Sequence, residues 1–234
     1  MTGALGVVRT AVRLLSFRAT RDEMLAIDRG HLAFGLVCTW LVGMGRYWDN
    51  PRAKLLQHLG IGSVVYVFVL SALLWLVMWP LRPADWSYRR LLTFVCLTSP
   101  PAALYALPVE RWMSLEAARS TNAWFLAVVA LWRLSLLCFY LSRLGRLSWF
   151  ATAVGALLPM TAIVVALTAL NLEHVVFQIM GGLDETSPNS TAYGVLMMLT
   201  GVSMVAVLPL LLGYAGVALA RRAARRAERR QFNK

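Results

Sequence analysis

A chain of 234 residues with 59% hydrophobic and only 15% charged side chains lacks the polar surface of a water-soluble domain, in which about a quarter of residues are charged. The formal net charge of +12, from 23 basic and 11 acidic residues, would suit nucleic acid only as a patch on a folded soluble module. Here the cations sit beside apolar runs, which disfavours nucleic acid and points to membrane insertion beside anionic lipid.

Residues 1–30 read as a cytoplasmic N-terminal segment. The stretch "GALGVVRTAVRLLSF" carries Arg9 and Arg13 and no A-x-A-like site, so it is not a cleavable signal. Val8, Val12 and Leu15 share one helical face and Arg9 and Arg13 another, the pattern of an amphipathic helix lying on the inner surface. The competing reading is a partly ordered basic tail.

Residues 31–220 form the membrane domain, with six apolar stretches. The first, His31 to Gly45, has some fifteen residues, short of the roughly 17 to 25 that a span needs. Leu59 to Trp79 is unambiguous. Leu91 to Leu107 contains "TSPP", and Pro100, Pro101 and Pro108 cannot all lie in one straight helix. Asn122 to Arg143, Trp149 to Leu170 and Ala192 to Leu219 complete the set, with Pro159 and Pro209 near the centres of the last two. The expected fold is all-α: a polytopic transmembrane helical bundle of about six spans with proline-kinked helices. Small residues such as Gly60, Gly62, Gly213 and Gly216 suit close helix contact.

The arginines set the orientation. With both termini cytoplasmic, seventeen cations lie inside and five outside, and the outer loop 171–191 has none, as the positive-inside rule requires. The loop "GRYWDNPRAK" places three cations outside and fits least well. Trp48, Trp79, Trp86, Trp112, Trp124 and Trp149 fall at or near span ends, where indole rings favour the interface. The basic tail, 221–234, repeats Arg221, Arg225 and Arg229 beside Arg222, Arg226 and Arg230. As a helix it presents a cationic stripe to anionic headgroups; as a plain charge cluster it acts only as a stop-transfer signal.

Arg133 is the anomaly. It lies near the middle of the fourth stretch, where a guanidinium costs from about 2.5 to above 10 kcal/mol depending on how far it snorkels or recruits water. Asn122 and Tyr140 fall on the same helical arc, so this stripe should face the bundle. No span offers an obvious carboxylate. Proline leaves free the carbonyl four residues earlier, and those of Cys96, Leu97, Gly155 and Val205 are the candidate acceptors. Arg133 is therefore expected to act as an internal staple on kinked backbone. The rival reading makes Arg133, Thr98, Ser99, Pro100 and Pro101, with Asn122 and Tyr140, a midplane site for an anion beside a broken helix. A third places Arg133 nearer an interface.

Little else suggests chemistry. Cys38, Cys96 and Cys138 lie inside spans and read as small buried hydrophobes. "LEHVV" has the wrong order for a zinc motif, and no Ser/His/Asp arrangement, P-loop or dinucleotide fingerprint stands out. No catalytic residue, cofactor or metal is expected. Asn171, His174 and Gln178 share one face of an expected outer-surface helix, and Asn189 opens an N-x-S/T acceptor. Short kinked spans and the dominance of Arg over Lys resemble bacterial inner-membrane proteins in style rather than in any motif, which implies that localisation. The leading functional expectation is a non-enzymatic accessory or scaffolding protein, packing with other membrane proteins, lipid or further copies of itself. The alternatives are a small-solute or anion carrier using Arg133 and the 98–101 break, and an intramembrane enzyme acting on lipid through Glu110, Glu173 or His174.

Overall fold

The computed structural model describes residues 3–48, 54–170 and 191–232. Among them there is no strand. The helices are α1 (Ala4–Leu15), α2 (Arg21–Leu25), α3 (Arg29–Gly45), α4 (Leu55–His58), α5 (Ile61–Met78), α6 (Tyr88–Leu97), α7 (Leu115–Arg143), α8 (Trp149–Ala169) and α9 (Thr191–Phe232), with 3₁₀ segments at Trp79–Leu81, Pro100–Ala106 and Val109–Arg111.

Four helical stretches are long and apolar enough to cross a membrane: Ile61–Leu81, Glu116–Arg143, Trp149–Ala169 and Met197–Arg226. A fifth arises if Tyr88–Leu97 and Pro100–Arg111, bent by 41° at their junction, cross as one. The sixth expected stretch corresponds to α3, whose 17 residues extend only about 25 Å at 1.5 Å per residue, against a hydrocarbon core of about 30 Å. The expected kinks divide by context. Pro159 and Pro209 lie inside α8 and α9 without ending them, whereas the Pro100–Pro101 pair converts the chain to 3₁₀ geometry.

The chain divides into two compact units. The first comprises Met1–Leu76 and Pro83–Arg146. At its centre α3 packs on α6 and on the Pro100–Ala106 segment. The buried face of α3 is His31, Gly35, Thr39 and Gly43, a strict four-residue repeat that lets neighbouring backbone approach closely. A Cβ at Gly35 would lie 2.8 Å from Cys96 Cβ, and one at Gly43 only 2.6 Å from Ser63 Oγ. Gly60 turns at φ +66°, with the Trp40 carbonyl 2.7 Å from where a side chain would begin. Capping boxes at Thr20 and Asp28 start α2 and α3, each cap accepting from backbone N–H groups that the first turn leaves unpaired.

The N-terminal segment is part of this unit. Helix α1 packs on α3 and α6 through Val7, Ala11 and Leu14. The Trp132 indole donates to the Leu15 carbonyl at 3.0 Å, and Phe17 meets Phe139 edge-on at 5.8 Å. The Val8 and Val12 stripe read from the sequence as the face on the membrane surface is a different one, and with Leu5 it is exposed. Both stripes are apolar, and periodicity alone cannot choose between them.

The second unit comprises Val77–Arg82 and Leu147–Lys234. Here α8 packs along α9, with Gly213 admitting the Phe150 ring, which lies 3.1 Å from a would-be Cβ. Gly155 receives the Met78 methyl at 2.8 Å in the same sense. Helix α9 continues without interruption past position 220 and through the arginines. Of the four glycines singled out for close contact, Gly60 and Gly213 make it, while Gly62 and Gly216 have no neighbour within 4 Å of a would-be Cβ.

Two outcomes follow from these contacts. Gly35→Val should cost about 1–3 kcal/mol through overpacking against Cys96 and Leu97, while Gly216→Ala should stay within about 0.5 kcal/mol of the parent; denaturant titration in mixed micelles separates them. The Glu23 carboxyl is held below its ordinary value of 4.5, first by the Thr20 backbone N–H and then by Arg13. A lowered folded value means that its stabilisation is present above pH 4.5 and is lost as pH falls through that lowered value. Glu23→Gln should therefore flatten the acid side of the stability–pH profile.

Candidate functional site: the break after α6 and the Arg133 neighbourhood

The site begins with an arithmetic of donors. Pro100 and Pro101 have no N–H, so the helical bonds they would send to the carbonyls of Cys96 and Leu97 do not exist. The chain responds locally. The Ser99 N–H closes a tighter turn onto the Cys96 carbonyl at 3.1 Å, and the Thr98 hydroxyl donates to the Val95 carbonyl at 2.8 Å. From α3, Thr39 Oγ1 lies 2.8 Å from Ser99 Oγ, 2.8 Å from its own helix's Gly35 carbonyl and 3.5 Å from the Cys96 carbonyl. Thr39, Thr98 and Ser99 are all buried. A hydroxyl ladder between α3 and the end of α6 therefore serves the broken helix.

Among the described residues Arg133 donates to no carbonyl and pairs with no carboxylate; Ser99 and Thr39 occupy the Cys96 carbonyl instead. Helix α7 starts at Leu115, behind a Ser114 cap that accepts from the Ala117 N–H, seven residues before the apolar run begins. Arg133 then lies ten residues from Arg143 and eighteen from Leu115, about 15 Å and 27 Å along the axis. Its neighbour Trp132 is bonded to the end of α1.

The proposed cluster disperses along α7. Asn122 donates to Glu110 Oε1 at 2.7 Å, about 16 Å up the helix from Arg133. Tyr140 is 1% exposed and stacks on Phe94 with ring centroids 4.2 Å apart, so it is core. Thr98, Ser99, Pro100 and Pro101 remain together in the break. After the end of α3, the Arg46 guanidinium lies 5.5 Å from the centre of the Tyr105 ring in the 3₁₀ segment. Arg111 similarly overlies Trp48 at 5.1 Å, whose indole donates to the Ala106 carbonyl.

Sequence reasoning missed Thr39, Tyr105 and Arg46. The Gly35–Thr39–Gly43 spacing was the available signal for Thr39. It also undervalued His31, which is 2% exposed and bonds Asp28 Oδ1 through Nδ1 at 2.7 Å, while its Nε2 has no partner among the described residues. Glu173 and His174, the expected outer helix and Asn189 lie outside the described residues. Among the described residues no three His, Cys, Asp or Glu side chains converge on a metal position, and the three cysteines are free thiols. The chain matches no known protein-family model, no curated protein and no solved structure.

Removing either hydroxyl of the ladder tests it. Thr39→Val and Ser99→Ala should each destabilise. Their double-mutant cycle should give a coupling of about 0.6 to 1.7 kcal/mol, the range of interhelical hydrogen bonds in membrane proteins, read from denaturation in mixed micelles.

Proposed function

We propose that this chain is a multi-pass integral membrane protein with six crossings and both termini on the cytoplasmic side of a bacterial inner membrane, acting as a non-enzymatic accessory or scaffolding component. The observation that carries the reading is the face of α9. Only 11% of its Met197–Arg226 stretch is buried, and Val205, Leu208, Leu212 and Leu219 are each more than 60% exposed. A contiguous apolar surface of this kind marks contact with lipid or with another protein. Exposed Trp79 and Trp149 lie at the ends of Ile61–Leu81 and Trp149–Ala169, as interfacial indoles do.

In this reading α3 and the broken α6 cross with help from their neighbours, the hydroxyl ladder serving the Val95 and Cys96 carbonyls at the break. The exposed arginines Arg222, Arg225 and Arg226 continue α9 beyond the apolar stretch and face anionic headgroups. A scaffolding role rests on the same surface, whose apolar faces exceed what α8 covers.

Topology is the direct test. In a background with Cys38, Cys96 and Cys138 changed to Ala, a cysteine at Trp112 should react with an impermeant maleimide in intact cells, and one at Arg226 only after permeabilisation. Labelling of position 226 in intact cells would overturn the orientation. Recovery of the protein in an alkaline-washed soluble fraction would overturn the membrane assignment altogether. A scaffold should also copurify with a stoichiometric membrane partner or as an oligomer in mild detergent; a strictly monomeric, partner-free particle would remove that role.

A further inference from the structure

A helix on the surface of a soluble domain has two directions to satisfy, the core and water. Helix α1 has three. At about 100° per residue, Val7, Ala11 and Leu14 fall within an arc of about 60°, and they are buried where α1 packs on α3 and α6. Leu5, Val8 and Val12 fall within a second arc of about 60°, centred about 120° from the first, and are 88%, 43% and 58% exposed. Arg9, also exposed, follows at the far edge of that second arc. Arg13 lies further round and turns to Glu23 and the Arg18 carbonyl.

Contacts with α7 fix the level at which this helix lies. The Trp132 indole holds the Leu15 carbonyl, and Phe139 meets Phe17. Trp132 precedes Arg143, the last residue of α7, by eleven residues and Phe139 by four, about 16 Å and 6 Å along the axis. The end of α1 therefore runs beside the apolar part of α7, short of its charged terminus. Its first turns lie at the start of α3, where Val7 Cγ2 is 3.7 Å from a would-be Cβ at Gly30. On the reading of α7 as a span with Arg143 on the cytoplasmic side, these ties hold α1 at the boundary of acyl chains and headgroups, where in-plane amphipathic helices sit about 5–10 Å deep. At that level each direction has an occupant: the bundle for Val7, Ala11 and Leu14, acyl chains for the exposed stripe, headgroups for Arg9. An aqueous surface would leave the stripe unmatched.

We propose that the Leu5–Val8–Val12 face of α1 is a lipid-binding surface, set into the cytoplasmic leaflet and selecting anionic headgroups through Arg9 and the exposed Arg18. Charge complementarity favours this occupant, since the cytoplasmic leaflet is the one that carries anionic lipid. The inference rests on membrane embedding and orientation, not on a scaffolding role.

The test uses the full chain, with Cys38, Cys96 and Cys138 changed to Ala and an NBD fluorophore on Leu5→Cys, Val8→Cys or Val12→Cys, in nanodiscs of phosphatidylcholine and phosphatidylglycerol. Two quenchers are compared, doxyl groups on the lipid chains and iodide in the water. All three positions should be quenched by doxyl lipid and shielded from iodide. Placing the doxyl group on phosphatidylglycerol instead of phosphatidylcholine should raise quenching at position 8 about twofold, and Arg9→Gln with Arg18→Gln should remove the difference. Quenching of all three positions by iodide overturns the lipid occupant. Protection from both quenchers gives the face to a protein partner or a second copy, and overturns it as well. Equal quenching by the two doxyl lipids overturns the anionic selection. A label on Val69→Cys, at a position 62% exposed on α5, separates this failure from that of the membrane reading: iodide reaching position 69 in place of doxyl lipid means that the membrane assignment itself has failed.

Discussion

Two adjacent prolines in an apolar stretch impose the constraint around which the first unit is built. Hydrocarbon supplies no water to backbone groups, so each carbonyl that loses its helical donor must be met from within the protein. Pro100 and Pro101 remove two donors at once, and three hydroxyls and a tightened turn gather at the end of α6, where they meet the Cys96 and Val95 carbonyls. Thr98 folds back on its own helix, Ser99 closes onto Cys96, and Thr39 reaches over from α3. That last contact requires α3 to lie against α6 with almost no space between them, which is why Gly35 sits where any side chain would strike Cys96. The glycine, the threonine four residues later and the two prolines are one device.

The same device explains why Arg133 is left over. A guanidinium is a capable donor for orphaned carbonyls, yet hydroxyls are smaller, uncharged and already at the right depth, and they involve no desolvation of an ion. With hydroxyls already on the Val95 and Cys96 carbonyls, the positive charge on α7 makes no hydrogen bond or ion pair among the described residues. The length of α7 reduces the penalty it incurs, because a helix of 29 residues, about 43 Å, exceeds the hydrocarbon core and allows Arg133 to sit off centre, nearer the end that carries Arg143. An ion partly buried, off centre and next to a bonded indole is less costly than one at the midplane of a shorter span, but it still calls for a counter-charge.

What could be read in advance was the hydrophobic skeleton. The long apolar runs give α5 and α8 to within a few residues and the start of α9 to within one, and "TSPP" marks the break because proline chemistry is local. The start of α7 was hidden, since "SLEAARSTN" looks like a polar loop; only the Ser114 cap and the good helix formers Leu115, Glu116, Ala117 and Ala118 announce it. Asn122, Arg133 and Tyr140 stand at different heights along α7. A helical wheel reports azimuth and discards height, so residues on one arc can serve an outer carboxylate, an open charge and an aromatic stack. Glycines behaved likewise: Gly60 and Gly62, or Gly213 and Gly216, are near neighbours in sequence, and only the packing partner decides which of each pair is crowded. The spacing of Gly35, Thr39 and Gly43 marks a close-packed face, but the partner of Thr39 stands sixty residues away at Ser99 and is not written in that spacing.

The second unit meets the backbone requirement by other means. The 3₁₀ turn Trp79–Leu81 ends at Arg82 in the left-handed region, leaving terminal carbonyls that α9 satisfies from its own side chains. Arg221 donates to the Leu81 and Arg82 carbonyls, and the Tyr214 hydroxyl to that of Val77. These polar ties lie about 10 Å apart along α9, at the end of an otherwise slippery apolar helix. Dispersion against α8 alone would let α9 slide by a turn with modest loss, whereas moving Arg221 by one turn would strip two carbonyls of their donor. The first arginine of the basic run therefore fixes register, and this separates it physically from Arg222, Arg225 and Arg226, which stay exposed and are available to whatever negative charge lies beyond the membrane's edge.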